Sequence, residues 1–244
     1  MAMTELILSE ITRMDPGYCV IGIYMDGRGF RSIRPFPHYG FAWRDPFPYK
    51  RGDKLQLELS DVPVTRPHVE DRQSFGVPTK VGELSEIELL NCLRKSEIGQ
   101  SLRELFGCGV RIKRHGAFVI GKQAQRSVCG AEPNNVRLKW DAGKLRAAVA
   151  LPSGESLPDL PVVDRSWRAF AEAIMAEMKG ANLAQRLNRY FAQRLQRDAL
   201  DGKSHFLRIG LARPERGACW LMVDTLFPFP RKSWFEEFSD ANFV

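Results

Sequence analysis

The sequence predicts a mainly β protein with helical insertions (α+β), in which two small β-barrels pack together. Most apolar runs are short, alternate with polar residues and end at glycine or proline turn signals, a pattern typical of half-buried strands. Helical spacing is confined to residues 85–106 and to about residues 164–201. Because strands come in groups and do not alternate with helices, the order favours barrels over a βαβ array.

Residues 1–83 are predicted to form the first barrel. Asp26-Gly27-Arg28-Gly29 is a hairpin turn between two of its strands, because glycine supplies the positive φ that tight turns need. Residues 35–48 carry four prolines and five aromatic residues, which predicts a rigid aromatic loop rather than a regular element. The predicted strands of this barrel are residues 6–11, 18–25, 30–34 and 54–59.

Residues 84–108 are predicted to be a helical connector, and residues 109–244 a second barrel with a helical insertion. Ser85, with Glu88 three positions on, has the pattern of a capping box, which begins a helix. Residues 152–161 are rich in proline, serine and glycine and are predicted to be a linker that leads into the insertion. The strands predicted in this half are residues 110–113, 117–120, 136–140, 145–151, 206–211 and 219–227.

The charge favours an anionic partner. The chain has 244 residues, with 36 Lys and Arg against 29 Asp and Glu, and a formal net charge of +7. Between residues 100 and 150, ten basic residues face three acidic ones, so this stretch alone carries +7. A basic surface of this kind binds nucleic acid or nucleotides, or is simply solvated, and the sequence leaves both open.

The cysteines and the apolar segments predict a cytoplasmic protein without a membrane partner. Five cysteines are scattered and form no CxxC pair, which indicates reduced thiols rather than disulfides or a metal knuckle. The first ten residues lack the basic start and apolar run of a signal peptide. No apolar stretch approaches the 18 residues of a membrane-spanning helix.

Several short stretches follow one another in a recognisable order. They are residues 30–36 (FRSIRPF), Trp43, Gly52-Asp53, 66–71 (RPHVED), 207–214 (LRIGLARP), 219–223 (CWLMV) and 227–230 (FPFP). In this order the chain resembles the dual OB-fold domain family of prokaryotic conflict, or antiphage defence, systems, over nearly its whole length. The resemblance implies two small OB-like β-barrels, a nucleic-acid or nucleotide ligand, and a protein partner in a defence complex. The chain departs from the family at Met222 and at Asp224-Thr225, where the family has Gln and Asn-Gly, so a ligand contact by that polar pair is in doubt.

Nucleic acid would meet basic and aromatic residues in both halves. Barrels that bind single strands combine a cationic groove with aromatic rings on which bases stack. The alternatives are that Arg34 and Trp43 belong to the first barrel's core and that the other basic residues are solvated. The candidate nucleic-acid-binding residues are Arg31, Arg34, Trp43, Arg44, Arg66, Arg111, Lys113, Arg114, Lys122 and Arg126.

One cluster, His68, Glu70 and Asp71, carries the weak candidates for catalysis. A histidine beside two carboxylates could hold a divalent metal, but a metal site needs three or four converging ligands and no second cluster is visible. The favoured interpretation is structural, with His68 and Asp71 tying an extended segment to backbone groups. No phosphate-loop, dinucleotide, zinc-protease or serine-hydrolase motif is present, so we expect no cofactor and no resident metal.

The sequence therefore predicts a non-catalytic nucleic-acid-binding module. Three alternatives stay open: a structural or adaptor subunit that docks a partner protein through its late helices and aromatic tail (residues 233–244), a sensor of a small anionic nucleotide, and a metal-dependent nuclease.

Overall fold

A computed structural model describes residues 2–14, 17–40, 42–44, 46–178, 182–200 and 204–240. Strands make up more of the described chain than helices, as the sequence predicts. Within these residues, no helix combines the length and the apolar character needed to cross a membrane.

The first five strands close into a barrel with the order β1-β2-β3-β5-β4. All neighbours are antiparallel except β3 and β5, which run parallel. Alternating leucines of β4, together with Leu6 and Leu8 of β1, fill the barrel interior. The strands are β1 (Ala2–Met14), β2 (Gly17–Met25), β3 (Phe30–Pro37), β4 (Asp53–Asp61) and β5 (Asp71–Glu83).

Two elements of this barrel differ from the sequence prediction. Strand β3 extends through Pro37, although a loop was expected from residue 35. It tolerates Pro35 and Pro37 because its ladder with β2 ends at Ile33, so neither proline has to donate a hydrogen bond there. Strand β5 was not predicted beyond residue 72, because Gly76, Pro78 and Gly82 interrupt its apolar alternation.

Two short helices connect the barrel to the second half. The first, α1 (Glu86–Leu93), begins with the predicted capping box, in which Ser85 and Glu88 each bind the other's backbone N–H. The second, α2 (Leu102–Phe106), ends at Gly107, whose φ of 69° is the left-handed geometry that favours glycine.

The second half contains two sheets rather than one closed barrel, so the predicted second barrel is not confirmed. The five-stranded sheet has the order β6-β7-β13-β12-β8, and the three-stranded sheet has the order β11-β10-β9. Strand β8 was not predicted, and β11 lies in the segment predicted to be a linker. The strands are β6 (Arg111–Lys113), β7 (Gly116–Ile120), β8 (Val128–Ala131), β9 (Asn135–Asp141), β10 (Lys144–Ala150), β11 (Ser156–Pro161), β12 (Phe206–Leu211) and β13 (Ala218–Phe227).

The predicted helical insertion is present as α3 (Arg165–Glu177) and α4 (Leu183–Leu200). A further helix, α5 (Lys232–Asp240), buries Trp234 and Phe238 in the same core. The tail residues proposed to dock a partner therefore pack onto the chain itself, and residues 241–244 lie outside the described part. The docking alternative loses its main support, because buried rings are not available to a second protein.

Buried polar groups join the barrel to the second half. Arg208 of β12 is fully buried; its Nε donates to Glu10 Oε1 at 2.7 Å and its Nη2 to Ser32 Oγ at 2.6 Å. Arg51 of the barrel pairs with Asp164, the N-cap of α3. Each arginine crosses the boundary, so the relative position of the two halves depends on charge pairing as well as on apolar contact.

Candidate functional site

The outer face of the five-stranded sheet carries an exposed row of basic and aromatic side chains. Arg111 of β6 lies opposite Phe118 of β7, and Phe118 lies opposite Trp220 of β13. Directly opposed residues share a face. The next residues on β7 and β13, Val119 and Cys219, are fully buried on the other side, so the row faces outward.

The rings in this row are close together, with Trp220 exposed and Phe118 half-buried. The Phe118 and Trp220 centroids are 5.3 Å apart at an interplanar angle of 46°, and Trp220 is 36% exposed. Lys113 shares this face because it lies two positions after Arg111, and its Nζ is 5.2 Å from the Phe118 centroid and 5.9 Å from the Trp220 centroid. We call Arg111, Lys113, Phe118 and Trp220 the aromatic-basic face.

The two cations of the aromatic-basic face have no carboxylate partner within the described residues. Both side chains are exposed. The Lys113 Nζ lies near the two rings, and Arg111 lies opposite Phe118 in the strand register. A cation over an aromatic ring keeps its charge available to an anion, whereas a cation in a salt bridge does not. This face therefore offers both uncompensated charge and flat apolar surface.

Arg114, Lys122, Arg126 and, from the first half, Arg66 are the other predicted binding residues near this sheet. Arg114 is exposed in the turn between β6 and β7, and Lys122 is exposed just after β7. Arg66 is also exposed, and Pro67 beside it packs close to Gly121. Arg126 is half-buried, with its guanidinium next to the Cys129 thiol, so it is less available.

Two predicted binding residues of the barrel are buried, and the expectation that they contact a ligand strand on the surface is corrected. The Arg34 Nε donates to Asp71 Oδ1 at 2.5 Å, and both side chains are 9% exposed. Trp43 is 8% exposed and donates its Nε1–H to the Pro35 carbonyl at 2.9 Å. Trp43 closes the barrel core, so it provides no stacking surface for a base.

The remaining barrel candidates are exposed to different degrees. Arg31 is half exposed and pairs with Asp26 at 3.2 Å, with Glu97 at 3.9 Å as a second carboxylate. Arg44 lies over the Tyr39 ring at 5.1 Å, and both side chains are exposed. The barrel thus has an exposed aromatic-cation pair, which is smaller than the aromatic-basic face.

The carboxylates of the cluster formed by His68, Glu70 and Asp71 are engaged in contacts within the chain. Glu70 accepts hydrogen bonds from Ser127 N at 2.8 Å and Ser127 Oγ at 2.7 Å, and Asp71 lies between Arg34 and Arg213. Among the described residues, no group of three or more His, Cys, Asp and Glu side chains converges on a metal position.

The carboxylates of this cluster instead hold residues 66–71 against β8 and the end of β12. Burial lowers the pKa of His68 to about 3, and the positive charges of Arg34 and Arg213 contribute to this. At physiological pH His68 is therefore in its neutral form.

Sequence reasoning missed Phe118 and Trp220. The signal was present: Ala117 and Val119 predict an inward face for β7, which places Phe118 outward, and Cys219 and Leu221 do the same for Trp220. Neither aromatic was singled out because each stands alone in an apolar run. Only the pairing of β7 with β13, across about a hundred residues of chain, brings them side by side.

Comparisons with known proteins leave the family open. No family model matches the chain, and no curated protein matches it. The resemblance to the dual OB-fold family therefore stays a prediction. A solved structure described as a murine DNA binding protein bound with double-stranded DNA aligns with 93% of this chain and 97% of that chain, at 6% identity and a TM-score of 0.32. A TM-score this low does not establish a shared fold.

Proposed function

We propose that this chain is a non-catalytic nucleic-acid-binding protein whose aromatic-basic face contacts unpaired bases. One observation carries the proposal: the half-buried Phe118 ring and the exposed Trp220 ring share a sheet face with Arg111 and Lys113, two cations that no described carboxylate neutralises. Sequence-tolerant binding of single strands needs this combination, because cations follow the phosphates while bases stack on the rings.

Stacking of bases on the two rings favours single strands over duplexes. A base stacked on an aromatic ring contributes roughly 1–3 kcal/mol, and this surface is accessible only when the base is unpaired. Two rings 5.3 Å apart can hold neighbouring bases of one strand. The net charge of +7 adds a salt-sensitive attraction that does not depend on sequence.

The finer architecture and the biological setting belong to the proposal as well. The barrel order β1-β2-β3-β5-β4, with β3 and β5 parallel, supports an OB-like first barrel. The role beside other proteins in prokaryotic defence rests on the sequence resemblance alone. A nuclease activity has no support, because the carboxylates of the His68 cluster are engaged with Ser127, Arg34 and Arg213.

The test is the affinity for a short fluorescent oligonucleotide, measured by anisotropy at low salt. Trp220→Ala is expected to weaken binding roughly 5- to 150-fold, the loss of one stacked base. Tyr39→Ala is the matched control, because Tyr39 is an exposed aromatic on the barrel with Arg44 over its ring. We expect the control to bind like the unmodified protein.

Two results would contradict the proposal in different ways. If the unmodified protein does not bind the oligonucleotide at low salt, nucleic-acid binding is wrong. If Tyr39→Ala loses affinity while Trp220→Ala keeps it, the chain binds nucleic acid through the barrel and the aromatic-basic face is wrong.

A further inference from the structure

A cavity of about 320 Å³ lies between the barrel and the outer face of the five-stranded sheet. One wall comes from β1 and β2, with Thr12, Cys19 and Ile21, and the opposite wall from β12 and β13. Most of the lining is apolar. A partly apolar cleft between two halves of a protein, with a few polar groups, is where small ligands bind most often.

The deep end of the cavity carries the carboxyl group of Asp224. This residue is 4% exposed, and its carboxyl lies so close to Gly210 that a Cβ added there would be 1.8 Å from Asp224 Oδ2. No hydrogen bond to this carboxyl is found among the described residues. Burial raises its pKa well above the usual range, and the nearby Glu10 carboxyl adds to this. A neutral carboxyl both donates and accepts a hydrogen bond.

The mouth of the cavity is positively charged. Arg13 is exposed there, the Arg213 side chain is 39% exposed, and Arg34 lies deeper. Asp71 contacts both Arg34 and Arg213. Arg13 forms no salt bridge with a described carboxylate, so its positive charge is available to an anion, and the exposed Arg213 adds guanidinium donors beside it.

We propose that this cavity binds a nucleoside monophosphate, with the base between the apolar walls and against Asp224, and the phosphate at Arg13 and Arg213. The arrangement matches the ligand's three parts. A base is flat, is apolar on its faces and bears adjacent donors and acceptors on its edge. A neutral carboxyl also presents a donor and an acceptor side by side, so the two can pair. The phosphate requires guanidinium donors, and the mouth supplies them. The cavity volume of about 320 Å³ lies at the lower end of the range for small-ligand pockets, which suits a ligand as small as a mononucleotide.

The nucleotide has two sources with the same chemistry: a free mononucleotide, or one nucleotide of a strand bound on the aromatic-basic face. The cavity and the aromatic-basic face adjoin, because Met222, which lines the cavity, is two residues from Trp220 on the same side of β13. One strand can therefore reach both. Only this second source rests on the proposed function. The experiment therefore has one arm for each source.

The first arm is calorimetric titration of the full chain with AMP, CMP, GMP and UMP, and with inorganic phosphate. Asp224→Leu places methyl groups where the carboxyl oxygens lie and removes the polar edge, so binding of the preferred mononucleotide should weaken about tenfold or more. Arg213→Ala should weaken it by about the same factor, and it keeps the test valid should Asp224→Leu fail to fold. Arg28→Ala, an exposed arginine in the β2–β3 turn, is the matched control and should bind normally.

The second arm repeats the oligonucleotide titration with the same variants and with Trp220→Ala. Mononucleotide binding that is lost in Asp224→Leu and kept in Trp220→Ala supports a free nucleotide as ligand. No mononucleotide binding, together with weaker oligonucleotide binding by both Asp224→Leu and Arg213→Ala, supports a nucleotide within a strand.

The cavity site is overturned if neither variant changes the binding of any mononucleotide or oligonucleotide. It is also overturned if inorganic phosphate binds as tightly as every mononucleotide, because the base then contributes nothing. Failure of the proposed function looks different: Trp220→Ala would leave oligonucleotide binding unchanged while the mononucleotide results stand on their own.

Discussion

Two buried arginines of the barrel and the cations of the aromatic-basic face have the same charge and opposite surroundings. Arg34 and Arg51 of the barrel each meet a carboxylate, and both are largely buried. Arg111 and Lys113 of the outer face meet solvent and aromatic rings. Charge counted along a sequence is therefore not the same as charge available to a ligand, because a nearby carboxylate cancels most of the field of an arginine.

The buried arginines and the exposed cations have different roles. Arginines at the boundary, such as Arg208 with Glu10, hold the halves together, because an unpaired charge in a low-dielectric interior is very unfavourable. Exposed cations contribute almost nothing to stability and are available for binding. Substituting a boundary arginine should therefore lower the free energy of unfolding, whereas substituting an exposed cation should lower the affinity for nucleic acid.

The largest expected effect is on stability. Arg208→Met leaves Glu10 buried without its guanidinium partner, and we expect the free energy of unfolding to fall by about 3–5 kcal/mol. Arg111→Ala is the matched control and should change it by less than about 0.5 kcal/mol, because its side chain is exposed. Urea unfolding followed by tryptophan fluorescence measures both.

The double variant sharpens this result. Arg208→Met with Glu10→Leu removes both charges, so it should recover most of the stability lost in Arg208→Met alone. If the single variant is as stable as Arg111→Ala, the buried pair does not hold the two halves together, and the contrast between the two groups of cations fails.

The next effect is a pH dependence from His68, which is 2% exposed and faces Arg34 and Arg213. Its pKa falls from 6.5 to about 3 in the folded state, so the unfolded chain binds the proton more readily between these values. The contribution of neutral His68 to the free energy of unfolding is fully present above about pH 6.5 and is lost as the pH falls towards 3.

The measurement is the difference between the unmodified protein and His68→Gln at several pH values, because the other buried groups, Glu10, Glu70 and Asp224, titrate in both proteins. Between pH 6.5 and about 4.5 the unmodified protein should lose about 2 kcal/mol more than His68→Gln. If the two plots of stability against pH are parallel, His68 takes up its proton as readily in the folded state as in the unfolded state, contrary to its burial beside two arginines.

Local patterns explain why much of the fold could be predicted. The capping box at Ser85, the alternating leucines of β4 and the apolar stripes of α3 and α4 each act within a few residues, and the structure has all of them. Strand β8 was missed because its position is set by pairing with the distant β12. Strand β11 forms a hairpin with β10 and was missed because the prolines within it and before it were interpreted as a linker. The second barrel was expected from the grouping of strands along the chain, which does not determine how they pair.

The candidate site was harder to predict for the same reason. The partner of Arg34 is Asp71, 37 residues away, and no local pattern shows that they meet. Arg111 and Lys113 were selected from alternation on a strand, and the structure keeps them on one exposed face. The rings that complete this face come from β7 and β13, so their neighbourhood is a property of the sheet and not of either segment.

The smallest expected effect tests the comparison most directly. Each cation that contacts a phosphate adds about 0.7 to the slope of log affinity against log salt concentration for a single strand. Arg111→Ala should lower that slope by about this amount, whereas Arg31→Ala should leave it unchanged, because Asp26 and Glu97 already neutralise Arg31. Anisotropy titrations of one oligonucleotide at several salt concentrations give both slopes. Equal slopes for the two variants would mean that pairing with a carboxylate does not decide which arginines reach the phosphates, since the two residues differ in their partners while both are solvent-accessible.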